Sequence, residues 1–372
     1  MNSIFEKGGK LYWLHSTVDA FDTFLRVPST TTKSGSHVRD AVDLKRILIL
    51  VVIALAPAAL FGMWNVGYQH GLAMGQSGVH ILQYFWFGFL KVLPLYIVSY
   101  IVGLGIEFAF AQIKGEEVSE GYLVSGFLIP LIVPVDIPLW MLAVAVAFAV
   151  VFGKEVFGGS GMNIWNPALL TRAFLFFSYP NYMSGSDCWI AFKKGETAVA
   201  DAFTGATPLS LEGAGAQYGT GFWDFFIGTV PGSVGETSVI AILLGAFILL
   251  WTGIASWKVM VGSVAGALLV AGIGDLAGIS SMPCYMQLCC GGFAFGTVFM
   301  ATDPVTSAQT ECGKWIYGLL IGMLCMIVRL FNPGYAEGMM LAILLGNTFA
   351  PLIDHCVTST HISRKIKKIK AA

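Results

Sequence analysis

Long apolar blocks with almost no charge dominate the chain beyond residue 46, separated by short joints rich in polar residues, glycine and proline. A helix that spans a bilayer needs about 20 mostly apolar residues. Blocks at 47–64, 85–108, 137–152, 239–254, 259–276, 286–301, 315–330 and 339–353 meet or approach that length. Two shorter blocks, 122–133 and 168–179, are bordered by Pro or Gly. They predict half-helices, or helices that break inside the bundle, where protein rather than lipid satisfies the freed backbone groups. The pattern predicts an all-α polytopic membrane protein of about ten transmembrane helices.

The halves repeat a signal. Glu236 opens the stretch E-x-x-x-x-A-I-L-L-G, and Glu337 opens it again. Asn166-Pro167 and Asp303-Pro304 each follow a Gly-rich apolar stretch. Internal repeats with broken helices at matching places mark membrane proteins that bind something near the midplane. The chain is therefore expected to fold as two inverted repeats.

Charge orients the spans. Lys7, Lys10, Arg26, Lys33, Arg39, Lys45 and Arg46 precede the first block, and Arg364, Lys365, Lys367, Lys368 and Lys370 follow the last. The positive-inside rule puts both termini in the cytoplasm, which an even number of spans satisfies. Lys91 and Arg329, towards outer span ends, depart from it. The expected regions are a cytoplasmic pre-membrane segment (1–46, with amphipathic helix around 12–25), a first membrane half (47–179), an external loop (180–236), a second membrane half (237–354) and a basic cytoplasmic tail (355–372). A loop as long as 180–236 is usually functional.

Composition narrows the class. Hydrophobic residues make up 56% and charged residues 12%, about half the charge of a soluble domain. That excludes a soluble enzyme and a disordered chain. The net charge is −1 and no basic run precedes the tail, so nucleic acid is not an expected partner. Seven cysteines show no C-x-x-C pair; they read as small buried thiols, and a Cys188–Cys284 pair, open to them if both lie outside, is not required by anything in the sequence. No metal site is expected.

Three sets of residues carry candidate chemistry. In the external loop, Asp201-Ala-Phe-Thr-Gly-Ala-Thr207 is a small-residue turn that presents a threonine hydroxyl just before Pro208; a plain Thr/Gly turn is the competing reading. Downstream of Gly158-Gly-Ser-Gly161, Asn166 is placed to cap a helix with Pro167 at its first position. Arg172 lies further along, and an intramembrane arginine is expensive enough to imply a role. Finally, Glu107 and Asp354 are carboxylates within or at the end of spans, hard oxygen ligands suited to a small cation. Asp136, Asp275 and Asp303 are weaker candidates, and Glu155 beside Lys154 reads as an ion pair.

These segments resemble a known family. The motif Asp-x-x-Thr-Gly-Ala-Thr is similar to the flavin-attachment motif of the B and D membrane subunits of the Nqr and Rnf respiratory complexes. N-x-x-N-P-A-L with R-A-F-L-F-F resembles a second hallmark, as do F-A-F-G-x-x-F-M-A-T-D-P ending at Pro304 and N-P-x-Y-x-E-G-M-M-L-A from Asn332. The stretch Ser36-His-Val-Arg-Asp-Ala-Val-Asp-Leu-Lys-Arg46 favours the sodium-pumping Nqr side. The resemblance covers nearly the whole chain.

It implies a multi-pass subunit of a bacterial inner (cytoplasmic) membrane complex. Such a subunit is part of a translocase that passes electrons to quinone and couples this to Na+ export. Thr207 would carry FMN through a phosphoester made by a flavin transferase, which reads Asp201, Thr204, Gly205 and Ala206. Riboflavin would bind non-covalently near Asn163, Asn166 and Arg172. Phe174, Phe176 and Gly103 would lie near quinone, and Glu107 and Asp354 on the ion path. Partners would include a second FMN subunit and an NADH-oxidising FAD/iron–sulfur subunit. The alternatives are an Rnf-type D subunit of a ferredoxin:NAD+ oxidoreductase and a flavin-free channel or secondary transporter, against which the loop motif argues.

Overall fold

The structure is a computed structural model and describes residues 34–36, 44–75, 80–114, 121–183, 188–192, 205–209, 221–280, 282–332 and 337–371. The expected helix at 12–25 and the loop stretches 184–187, 193–204 and 210–220 lie outside them. Every long element is helical: α1 (Leu44–Ala73), α2 (Ile81–Lys114), α3 (Tyr122–Ile132), α4 (Leu139–Gly153), α5 (Pro167–Ser178), α6 (Val239–Trp251), α7 (Trp257–Leu276), α8 (Glu311–Phe331) and α9 (Met339–Ala371). Six helices are long and apolar enough to cross a membrane, and α3, α5 and α6 are shorter apolar helices. The protein is an all-α polytopic membrane protein.

Local chemistry sets the ends. Asn166, Ser238 and Thr310 cap α5, α6 and α8, each side-chain oxygen accepting a first-turn N–H. α3 stops at Val133 before Pro134, where the pre-proline residue leaves the helical region. The expected span 286–301 is not one helix. It breaks into Cys284–Cys289 and a half-helix at 293–300 that finishes in a π turn, because Gly291 adopts φ +58, a conformation that other residues resist. At the other extreme, α9 runs unbroken past residue 354 through the basic residues to Ala371.

The two groups of helices share part of their packing. α2 packs on α3 and α4, and α4 on α5; α7 packs on the 293–300 half-helix and on α8, and α8 on α9. α1 and α6 join the halves, with α5 touching α9. Glycines permit the closest approaches: a Cβ on Gly62 would lie 1.7 Å from Val234 O, and one on Gly245 2.3 Å from Ala54 O. One continuous core runs through both halves, including Leu55, Ile129, Leu142, Phe295 and Ile343. Large apolar side chains such as Ile101, Phe247 and Ile273 are exposed around the outside, as a surface in contact with lipid requires.

Candidate functional site

The junction of the halves encloses a cavity of about 210 Å³. Leu48, Val51, Val124, Leu128, Leu249 and Phe299 make its walls apolar, and Asn163, Asn166, Lys154 and Asp303 supply polar groups. The turn leading there bends at Gly158, Gly159 and Gly161, all at positive φ. Asn166 Oδ1 then accepts from Ala168 N at 3.0 Å, and its amide nitrogen faces Asp303 Oδ2 at 3.5 Å. The paired Asn-Pro and Asp-Pro signals of the sequence thus meet in space.

Arg172 does not join Asn163 and Asn166. It lies about 9 Å further along α5 from Asn166, outside the cavity lining, in a buried ionic cluster. Its Nη1 donates to Glu236 Oε1 at 2.5 Å and its Nη2 to Glu337 Oε2. The two glutamates that open the repeated stretch therefore converge on one guanidinium. Both carboxylates lie over Gly292, where a Cβ would sit 2.5 Å from Glu236 Oε1 and 2.7 Å from Glu337 Oε1. Arg329 closes the other side by donating to the carbonyls of Glu337, Gln287 and Cys290. These three carbonyls account for a cation at a span end where the charge pattern does not call for one.

The end of the loop motif sits beside this cluster. Gly205, Ala206, Pro208 and Leu209 are buried and Thr207 is half-buried; Asp201 and Thr204 lie outside the described residues. Leu209 packs with Phe225, Val230, Met282 and Cys290. Its Cδ1 is 2.6 Å from where a Cβ on Gly291 would be, one residue from the glycine beneath the two carboxylates. No disulfide joins Cys188 to Cys284 in this structure.

At the other end of the molecule, Glu107 on α2 pairs with Lys154, and both are 3% exposed. Glu155 is paired not with its neighbour Lys154 but with Lys114, at 3.6 Å. Adjacent residues project in different directions at a helix end, so sequence adjacency misleads here. Asp354 accepts from Gln309 N, Thr310 N and Thr310 Oγ1 at 2.7, 2.9 and 2.6 Å, which ties α9 to the start of α8. Asp136 pairs with Lys91 and accepts from Phe192 N, and Asp275 accepts from Cys284 N. Asp303 accepts from Val305 N, Thr306 and Asn166.

Phe174 stacks on Phe148 at 4.7 Å between ring centroids, and Phe176 meets Phe177 edge-on at 5.4 Å. Gly103 is buried against Tyr122, whose ring would come within 1.9 Å of a Cβ there. Tyr122 donates in turn to Ser99 O at 3.0 Å. Phe174, Phe176 and Gly103 line neither the cavity nor the ionic cluster. Sequence reasoning missed Lys154 as the partner of Glu107 and the glutamates as partners of Arg172. In each case a buried charge called for an opposite one, and only the fold reveals which.

Comparison with known proteins fits this architecture. A model of the NQR2, RnfD, RnfE family matches residues 31–363. The B subunit of the Na(+)-translocating NADH-quinone reductase of Ectopseudomonas mendocina (strain ymp) is 44% identical, over 98% of this chain and 96% of its own length. The protein of the same name from Azotobacter vinelandii is 43% identical over the same shares. The one from Chromohalobacter salexigens is 44% identical over 98% of this chain and 94% of its own. With that match running through every helix described above, the chain belongs to the NQR2, RnfD, RnfE family.

Proposed function

We propose that this chain is the B-type membrane subunit of a Na+-translocating NADH:quinone reductase. It sits in the bacterial inner membrane with both termini cytoplasmic and passes electrons to quinone while Na+ leaves the cell. The observation that carries the reading is identity above two-fifths along nearly the whole length of proteins with that name. The external loop 180–236 between the two membrane halves would carry the covalent cofactor. The partners would be the other subunits, among them a second FMN subunit and an NADH-oxidising FAD/iron–sulfur subunit.

The residues suit the implied flavins. Thr207 offers a hydroxyl on a half-buried turn whose following residue, Pro208, is fixed in the protein. That allows a phosphoester to FMN without loosening the fold. The cavity offers a mostly apolar lining with two asparagine amides in it, a complement to a ring system whose edge carries carbonyls and nitrogens. Asn163 and Asn166 would hold riboflavin there, and these flavins would supply the electron-carrying chemistry. The protein's part is to position and tune them. Phe174 and Phe176 present aromatic surface for a quinone ring, with Gly103 contributing through its close fit on Tyr122.

The first test is intact mass with in-gel flavin fluorescence, on wild type and Thr207→Ala co-expressed with a flavin transferase. Wild type should gain the mass of FMN and fluoresce, and the variant should do neither. Wild type left unlabelled by a transferase that labels a control protein would overturn the flavin reading. The ion path has its own test. Glu107→Gln should raise the Na+ concentration that half-saturates quinone reduction by about tenfold, the cost of one charge on a coordinating oxygen. An unchanged Na+ dependence would remove Glu107 from the path.

A further inference from the structure

Lys154 pairs with one buried carboxylate and shares the lining of a cavity with a second. The first is Glu107, whose second oxygen, Oε2, is buried without a hydrogen-bond partner. The second is Asp303. Asp303 is met by neutral donors, and among the described residues no cation pairs with it. Gly121 packs against this group: a Cβ there would stand 2.6 Å from Ser160 Oγ and 3.6 Å from Lys154 Nζ. Beside them the Glu155–Lys114 pair is complete. Among these five described residues, the three carboxylates Glu107, Glu155 and Asp303 stand against the two ammonium groups Lys154 and Lys114.

We propose that Lys154 is a tethered counter-ion that exchanges between Glu107 and Asp303, and thereby sets how tightly Glu107 holds Na+. This rests on the reading of Glu107 as part of the ion path. A buried carboxylate cannot keep both an ammonium and a metal ion on its oxygens without stranding positive charge in a medium that penalises it. An entering cation therefore takes the place of the ammonium on Glu107. The flexible stem of lysine carries the displaced charge to the unpaired Asp303. Lys154 is a positioning residue in this account, and the cavity wall is where its movement is felt. Occupation of Glu107 thus brings positive charge to the cavity, and a negative charge developing in the cavity favours cation uptake at Glu107. The reciprocity is required by linkage.

The test is equilibrium binding of radioactive Na+ to the purified complex. It compares wild type with Lys154→Met, Lys154→Arg and Glu107→Gln. Removing the competitor in Lys154→Met should tighten Na+ binding about tenfold, within the usual range for coupled ligands. Lys154→Arg, which keeps the charge and forks onto carboxylates more firmly, should weaken it. Lys154→Arg also serves if the methionine variant fails to assemble. Weakened Na+ binding in Glu107→Gln with unchanged affinity in the Lys154 variants would overturn the counter-ion proposal alone. Wild-type binding in Glu107→Gln would overturn the ion-path reading and this proposal with it.

Discussion

Arg172→Met should prevent the protein from accumulating in assembled form. The side chain is 3% exposed and holds two carboxylates, Glu236 at 7% and Glu337, half-buried. Removing it leaves two negative charges side by side with nothing between them. Breaking one buried pair costs about 3–5 kcal/mol, and here the like-charge repulsion of the survivors adds to that. Arg172→Lys should recover only part of the loss, because one ammonium cannot reproduce a fork that spans two acids. The decisive variant is the triple change Arg172→Met, Glu236→Gln and Glu337→Gln. It leaves no unpaired ion, so it should regain much of the stability that the single change loses. Thermal unfolding of the detergent-purified complex checks this. Arg172→Met melting with wild type, or a triple variant no better than the single, would show that the ionic cluster does not hold the three elements together.

How much of the fold and site is legible in the chain depends on the range of each interaction. The apolar blocks mark the helices, because the demand for some twenty apolar residues is imposed by the bilayer and not by partners. Asn166-Pro167 announces the start of α5 correctly, since a cap is made within three residues. The repeated glutamates at 236 and 337 are visible as a pattern, but their meeting on Arg172 is not: the partners lie 64 and 165 residues from it. Asp354 shows the same difficulty. Its position near a span end shows in the sequence, but the three hydrogen bonds it accepts from the backbone and hydroxyl at the start of α8 do not. The apolar block 286–301 conceals its break, because Gly291-Gly292 is as hydropathically bland as the helix around it. The reason for glycine at 292 appears only once the two carboxylates are seen above it.

The second large effect concerns α7 and α8. Gly262 and Gly266 on α7 face Gly318 and Gly322 on α8, two G-x-x-x-G pairs that bring the backbones into contact. A Cβ on Gly266 would stand 2.3 Å from Leu319 O, and one on Gly322 2.0 Å from Ser263 O. The obstacles are carbonyl oxygens of packed helices, which cannot rotate aside as a side chain can. Between helices in lipid, where apolar burial gives little drive, close packing and its van der Waals contacts carry the association. Gly322→Val should therefore push α8 off α7 and shift α9, which packs on α8 and carries Asp354 and Asn347. The expected loss is at least the ~1–3 kcal/mol of an overpacked core site, seen as a lower melting temperature and less assembled complex. Gly272→Val is the matched control on α7, with nothing within 4 Å of its added Cβ, and it should assemble and melt like wild type. Equal damage from both would mean that glycine serves the helix itself; damage confined to Gly322 and Gly266 would locate it at the contact between the helices.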